Sequence, residues 1–284
     1  MRPFTRPRLA PICLLASVCA MAVAMRAQSP PGAGQAAKAA APIDVTGYWV
    51  ALVTEDWRYR MLTAPKGDYY GIPLTDEGKR AADLWDPGSD VAQGKQCLGY
   101  GASTIMRVPG RLHITWADDN TMKVDTDAGK QTRTFRFGAV RMGSGPSTAQ
   151  GMSTAEWQTP QSVRFYASKI PATDPNTPGF AGILMRLESQ GPDTRKLGGA
   201  LKVVTRHLRP GYLRNNGVPY SGDAVLTEYY DLHKDGETEY LVTTTIVEDS
   251  RYLYVPWVTS NHFRREPDGS KWNPQPCELI LPTK

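Results

Sequence analysis

The chain reads as an all-β protein, an antiparallel barrel or sandwich with one short helix and long loops. Three observations predict this class. Runs rich in Val, Ile, Thr, Tyr, Phe and Trp recur from residue 45 onwards, and such residues suit a pleated, half-buried surface. Turn signals separate these runs at spacings of about 8–12 residues, the rhythm of sandwiches and barrels. Only one segment carries both the start and the stop signals of a helix, too little to build a separate helical layer.

The first strand is expected over residues 45–54. Thr75 then opens the helix. Its hydroxyl suits an N-cap, Asp76 and Glu77 suit the positive end, and Lys79 to Trp85 make two turns before Pro87-Gly88 stops them. Leu84 and Trp85 are expected to close one end of the β core. Strands over 103–108 and 111–117 flank Pro109-Gly110 as a hairpin. Asp118-Asp119-Asn120 leads into 121–126, and Asp127-Ala128-Gly129 into 131–137. Later strands are expected over 163–168, 183–188, 200–207, 225–232, 239–247, 257–265 and 277–281. Lys234-Asp235-Gly236-Glu237 is a hairpin turn. Residues 138–160 and 169–181, rich in Gly, Ser, Thr and Pro, read as loops, the usual place for a site on a β scaffold.

Residues 1–27 have the pattern of a secretory signal. Arg2, Arg6 and Arg8 precede an apolar run from Ile12 to Ala24, and Ala22-Val23-Ala24 offers a cleavage site, with Ala27 as a second. The run is shorter than the roughly 20 residues that span a bilayer. An alternative use of Cys19 as a lipid anchor meets a poorly fitting Val18. Export predicts a periplasmic or secreted protein. Residues 28–42, built of Ala, Gly, Pro, Ser and Gln with one lysine, have the composition of a disordered tether. That leaves 43–284 as a single β domain.

The full chain carries a net charge of +5. Four of its arginines (Arg2, Arg6, Arg8, Arg26) lie in residues 1–27 with no acid, so the remainder is +1. A near-neutral chain without a Lys/Arg run has no footprint for nucleic acid. Beyond residue 27 the chain keeps two cysteines, Cys97 and Cys277. In an oxidising compartment such a pair is expected to bond. His113, His207, His233 and His262 have no close ligand spacing, so no metal and no cofactor is expected.

Several clusters carry the chemistry. Glu55-Asp56-Trp57-Arg58-Tyr59-Arg60 follows the first strand, and Glu248-Asp249-Ser250-Arg251-Tyr252 follows a later one. If both strings meet at one mouth, their carboxylates suit acid and base roles and their arginines an anion. Arg206 to Arg214 places three arginines, His207 and Tyr212 around Pro210-Gly211, a cradle for a carboxylate, sulfate or phosphate. Strand parity puts Glu228 with Leu226, Tyr230 and Leu232, and Arg133 with Phe135 and Phe137. Each would cost several kcal/mol buried alone, so they either pair inside the barrel or line a polar cavity. The same parity sets His207 beside Leu201, Val203 and Thr205.

Thr46-Gly47-Tyr48-Trp49 carries a Gly-x-Trp on the first strand, similar to lipocalin-like barrels, in which the Trp plugs one end. A wider resemblance rests on the run from Cys97-Leu98-Gly99-Tyr100 to Val108-Pro109, on Leu201 to Thr205 with Pro210 to Arg214, and on the tail from Glu248 through Pro256-Trp257 to Cys277-Glu278. These resemble a family of uncharacterised secreted bacterial proteins, which implies a bacterial envelope protein closed by a cysteine pair. Ser250 departs from a usual proline there.

Two functions fit. One is an exported barrel binding a small apolar or aromatic ligand with an anionic group, through Trp57, Arg58, Arg60, Arg209, Tyr212, Arg214, Glu228 and Arg133. The other is a metal-free acid–base enzyme (isomerase, lyase or hydrolase) using Glu55, Asp56, His207, Glu248 and Asp249. A structural envelope role is third. The sequence leaves the oligomeric state open.

Overall fold

The computed structural model describes residues 35–138, 146–158, 199–279 and 281–282. Nine strands among them close into a barrel: β1 (Gly47–Leu52), β2 (Arg111–Asp118), β3 (Thr121–Thr126), β4 (Thr132–Phe137), β5 (Met152–Gln158), β6 (Ala200–Arg206), β9 (Val225–Asp235), β10 (Thr238–Glu248) and β11 (Trp257–Glu266). Going round, the order is β1-β11-β10-β9-β6-β5-β4-β3-β2, and β1 pairs with β2 to close the ring. A ring of nine cannot alternate direction throughout, so one neighbouring pair must be parallel. That pair is β4 and β5, with Phe135 opposite Ser153. A two-stranded sheet of β7 (Gly211–Arg214) and β8 (Val218–Tyr220) sits in the connection between β6 and β9.

Inward residues follow the two-residue period of each strand. Trp49 is fully buried and donates its indole N–H to the carbonyl of Val45 at 3.0 Å, while the Arg265 guanidinium lies 4.2 Å from its ring. Gly47 makes that approach possible. Its φ of +110° is unfavourable for other residues, and a Cβ there would stand 2.7 Å from Arg265 Nη1.

The helical content exceeds the single helix expected. Besides α2 (Asp76–Asp83), capped by Thr75, there are α1 (Trp57–Met61), α3 (Pro87–Ala92), a 3-10 turn over Gln96–Tyr100 and α4 (Ala102–Ile105). Pro87 starts a helix rather than only ending one. It occupies the first turn of α3, where its missing N–H costs nothing, and Asp86 caps it through the amides of Gly88 and Ser89. Of the two residues expected to close the core, Trp85 is buried and Leu84 is 82% exposed.

The strand expected over 103–108 is instead α4 and the turn after it, so Pro109-Gly110 joins no hairpin. Its β-prone Thr and Ile side chains are buried where the segment plugs the barrel mouth, and Thr104 donates to the carbonyl of Tyr212 at 2.5 Å. Residues 277–279 are not a strand, whereas β5 forms in a segment read as loop. The strands expected over 163–168 and 183–188 lie outside the described residues.

Residues 35–42, tether-like in composition, lie against the barrel. Ala37 and Lys38 donate backbone N–H groups to Asn120 Oδ1 and Asp119 O, and the Trp157 indole donates to Ala37 O at 2.8 Å. Cys97 and Cys277 form a disulfide that fastens the C-terminal segment to the 3-10 turn.

An arginine-lined cleft at the barrel mouth

β11 runs antiparallel to both β1 (Leu52 opposite His262) and β10 (Val247 opposite Trp257), and β9 runs antiparallel to β6 (Thr205 opposite Leu226), so the ends of β1, β6 and β10 point the same way as the starts of β9 and β11. Both Glu-Asp strings and the segment 206–214 therefore emerge at one end of the barrel. There α1, α4, β7 and the C-terminal segment enclose a cleft of about 420 Å³.

Three buried arginines line it: Arg60, Arg107 and Arg214. Asp56, in the left-handed region at φ 49°, turns the chain from β1 into α1. That short helix sends Trp57 outwards and Arg60 inwards. Arg60 binds Glu55 at 3.0 Å, the carbonyl of Leu52 at 3.2 Å and that of Arg107 at 3.0 Å. Arg107 follows α4, meets Asp56 at 3.2 Å and lies 5.1 Å from the Trp257 ring. Arg214, at the end of β7, donates to the carbonyl of Tyr70 at 2.9 Å and packs 3.8 Å from the Tyr59 ring.

Each of the three keeps one buried nitrogen with no partner among the described residues: Arg60 Nη2, Arg107 Nη1 and Arg214 Nε. Burial pushes all three pKa values down, and for Arg60 and Arg214 the nearby charge of Arg107 pushes the same way. Three guanidinium groups thus stand together at the cleft, with Arg60 and Arg107 each paired to one carboxylate, Glu55 and Asp56. Arg111 adds a fourth lining arginine, bound to Glu266 at 2.8 Å, while the carboxylates on the lining are Asp127 and Glu278.

One wall is the disulfide-fastened tail, with Asn273, Gln275, Pro276 and Glu278 facing the cleft. It is stitched down by Gln275 N–H to Asp127 O at 2.8 Å and by Tyr100, whose hydroxyl donates to Glu278 O at 3.1 Å. Gly129 lets Tyr100 come close, since a Cβ there would stand 2.3 Å from the ring.

Of the residues expected at a site, Glu55, Asp56, Arg60 and Arg214 are brought together. Trp57 is 61% exposed and Arg58 is exposed on the outer side of α1. Tyr212 alternates away from its neighbours on β7 and donates to Asp90 at 2.8 Å. Arg209 is exposed, as is Glu248. Asp249 is buried but spent on a turn, accepting from Ser221 N at 2.6 Å, Ser221 Oγ at 3.0 Å and Arg251 N at 3.0 Å. His207 does not share the Leu201–Thr205 face. β6 ends at Arg206, and His207 turns outwards at φ 56°.

Arg133 and Glu228 are paired inside the barrel, both 0% exposed. Nη1 meets Oε1 at 2.8 Å and Nη2 meets Oε2 at 2.5 Å, with Tyr230 donating to Oε1 at 3.2 Å and Arg133 reaching Thr205 at 3.3 Å. Burial alone would lower the Arg133 pKa, but the Glu228 charge outweighs it and holds it above the ordinary value.

Sequence reasoning missed Arg107, Arg111, Tyr100 and the tail. Arg107 had a signal, a cation inside the apolar run from Ile105 to Val108, of the same kind that exposed Arg133. It also missed His262, whose Nδ1 stands 3.0 Å from Glu55 Oε2. Burial would raise the Glu55 pKa, but hydrogen bonds from Thr54 and His262 and the charges of His262 and Arg60 outweigh it and hold it below its ordinary value.

No helix among the described residues is long and apolar enough to cross a membrane. Comparison with protein-family models, with curated proteins and with solved structures finds no match.

Proposed function

We propose that this protein is a binding barrel for a small organic anion, taken up in the arginine cleft at its mouth. One observation carries the reading: three buried guanidinium groups line the cleft, each with an unused donor. Tyr59, Tyr100, Val108 and Leu213 give the rest of the ligand an apolar and aromatic surface, in the manner of pockets that fix orientation with a few polar groups. Acid–base catalysis has less support. Glu55 and Asp56 are engaged by Arg60 and Arg107, and Asp249 and His207 point elsewhere. The proposal includes export to the periplasm or outside, supported by the signal-like first 27 residues and the disulfide, and a lipocalin-like character, supported by the buried Trp49 after Gly47.

The test is calorimetric titration of the full chain with benzoate, acetate and inorganic phosphate, repeated on Arg214→Ala. Saturable binding of at least one anion to the parent, weakened at least about tenfold in the variant, supports the reading. That is about 1.4 kcal/mol. No saturable binding of any of them to a folded parent refutes it.

A further inference from the structure

A second cavity borders the β7–β8 hairpin. It has a volume of about 250 Å³ and is walled by the end of α2, by α3 and by the hairpin. It shares no lining residue with the arginine cleft. The hairpin gives Leu213 and Arg214 to the cleft, and Tyr212, Gly217 and Pro219 to this cavity.

Local sequence builds the walls. Asp86 caps α3 through the amides of Gly88 and Ser89, and Asp90 follows one turn later on the same short helix. Gly217, at φ +82°, lets the hairpin turn close on Trp85, where a Cβ would stand 2.2 Å from the Trp85 Cβ. Leu84 lines the same cavity and is 82% exposed, an apolar side chain that core packing does not explain.

Two buried groups on this lining keep hydrogen-bonding capacity unused, and they are of opposite kind. Asp90 is 7% exposed and forms no ion pair among the described residues. The donor its carboxylate has among them is the Tyr212 hydroxyl at 2.8 Å, although two carboxylate oxygens can accept about four hydrogen bonds. Burial and the Asp90 carboxylate hold the Tyr212 pKa above its ordinary value, so that hydroxyl stays a donor. Trp85 is 4% exposed, and its indole N–H, which can only donate, has no partner among the described residues. Leaving a buried polar group unmade costs about 1–3 kcal/mol, and folded proteins rarely do so. An unused acceptor and an unused donor on one cavity lining suit a guest that carries both.

Charge and size narrow that guest. Asp86 and Asp90 disfavour an anion here, whereas Lys95 on the same lining and the indole N–H disfavour a cation. Hydroxyl groups meet both demands, since each donates one hydrogen bond and accepts two. The C–H faces of a saturated ring suit Leu84, Pro219 and the rings of Trp85 and Tyr212. Pockets for drug-sized ligands begin at about 300 Å³, so this cavity suits a single small ring.

We propose that this cavity is a second binding site, for a small uncharged polyhydroxyl compound such as a monosaccharide or a cyclic polyol, held by Asp90 and Trp85. It stands independently of the anion site in the arginine cleft.

D-glucose, D-galactose and myo-inositol are the probes, titrated calorimetrically into the full chain, with ethylammonium chloride as the cationic control. Saturable binding of at least one probe, unaffected by Arg214→Ala and weakened at least about tenfold in Asp90→Asn, supports the site; tenfold is about 1.4 kcal/mol. No saturable binding of any of the three overturns it. So does binding that is lost in Arg214→Ala, binding that Asp90→Asn leaves unchanged, or ethylammonium bound more tightly than every probe. Should either variant fail to fold, a crystal of the parent soaked in the tightest-binding probe decides the matter. Probe hydroxyls within hydrogen-bond distance of the Asp90 carboxylate and the Trp85 indole nitrogen support the site, and a probe bound elsewhere or water alone in the cavity overturns it.

Discussion

Glu228→Ala is the sharpest perturbation of the barrel interior. The substitution removes the carboxylate that meets Arg133 at 2.8 and 2.5 Å and accepts from Tyr230. Arg133 is then a 0% exposed cation left with Thr205 and the Tyr230 hydroxyl, its Nε already without a partner. Stranding a buried charge in this way costs about 3–5 kcal/mol. For a domain of this size each kcal/mol moves Tm by about 2–4 °C, so the melt should fall by about 6–20 °C. Calorimetry on parent and variant measures it. The paired replacement Arg133→Met with Glu228→Leu removes both charges and should lose much less than Glu228→Ala, since apolar replacement of a buried pair is often near neutral. A Glu228→Ala melt indistinguishable from the parent would refute the reasoning.

Other outcomes follow from the same structure. Reduction of Cys97–Cys277, which spans 180 residues, should lower Tm, with an entropic ceiling of about 5 kcal/mol, while room-temperature circular dichroism stays β-rich. It should also weaken anion binding, because the released tail is one wall of the cleft; affinity unchanged after verified reduction would contradict that geometry. Glu55 has a folded pKa below its ordinary 4.5, so its stabilising contribution is full above that value and lost as the pH falls through the depressed one. Glu55→Gln should therefore melt with a shallower acid limb than the parent below about pH 4.5, and an unchanged limb would remove Glu55 from the account.

Much of the fold was legible because strand parity is a strong signal. The alternation that put Glu228 and Arg133 on apolar faces also put them inside one barrel, within bonding distance. Parity fails where a strand stops, and nothing local announced that β6 ends at Arg206 and turns His207 outwards. Composition misled at residues 103–108, where β-prone side chains form α4 because the segment is packed as a plug under Tyr212. The candidate site was half legible. The Glu55–Arg60 string and Arg214 were visible as local charge clusters, whereas Arg107, Tyr100 and the tail come from segments distant in sequence and joined only by the closed fold and the disulfide. Thr245 and Thr259 read as ordinary strand residues, and only the closed barrel shows their hydroxyls buried without a partner among the described residues.

The central claim is that the arginine cleft holds an anion, and a crystal of the full chain grown or soaked with benzoate tests it most directly. The account predicts the carboxylate within hydrogen-bond distance of at least two of Arg60, Arg107 and Arg214, with the ring against Tyr59 or Tyr100. Benzoate bound elsewhere on the barrel with those three arginines uncontacted, or no bound anion at saturating concentration, would contradict it.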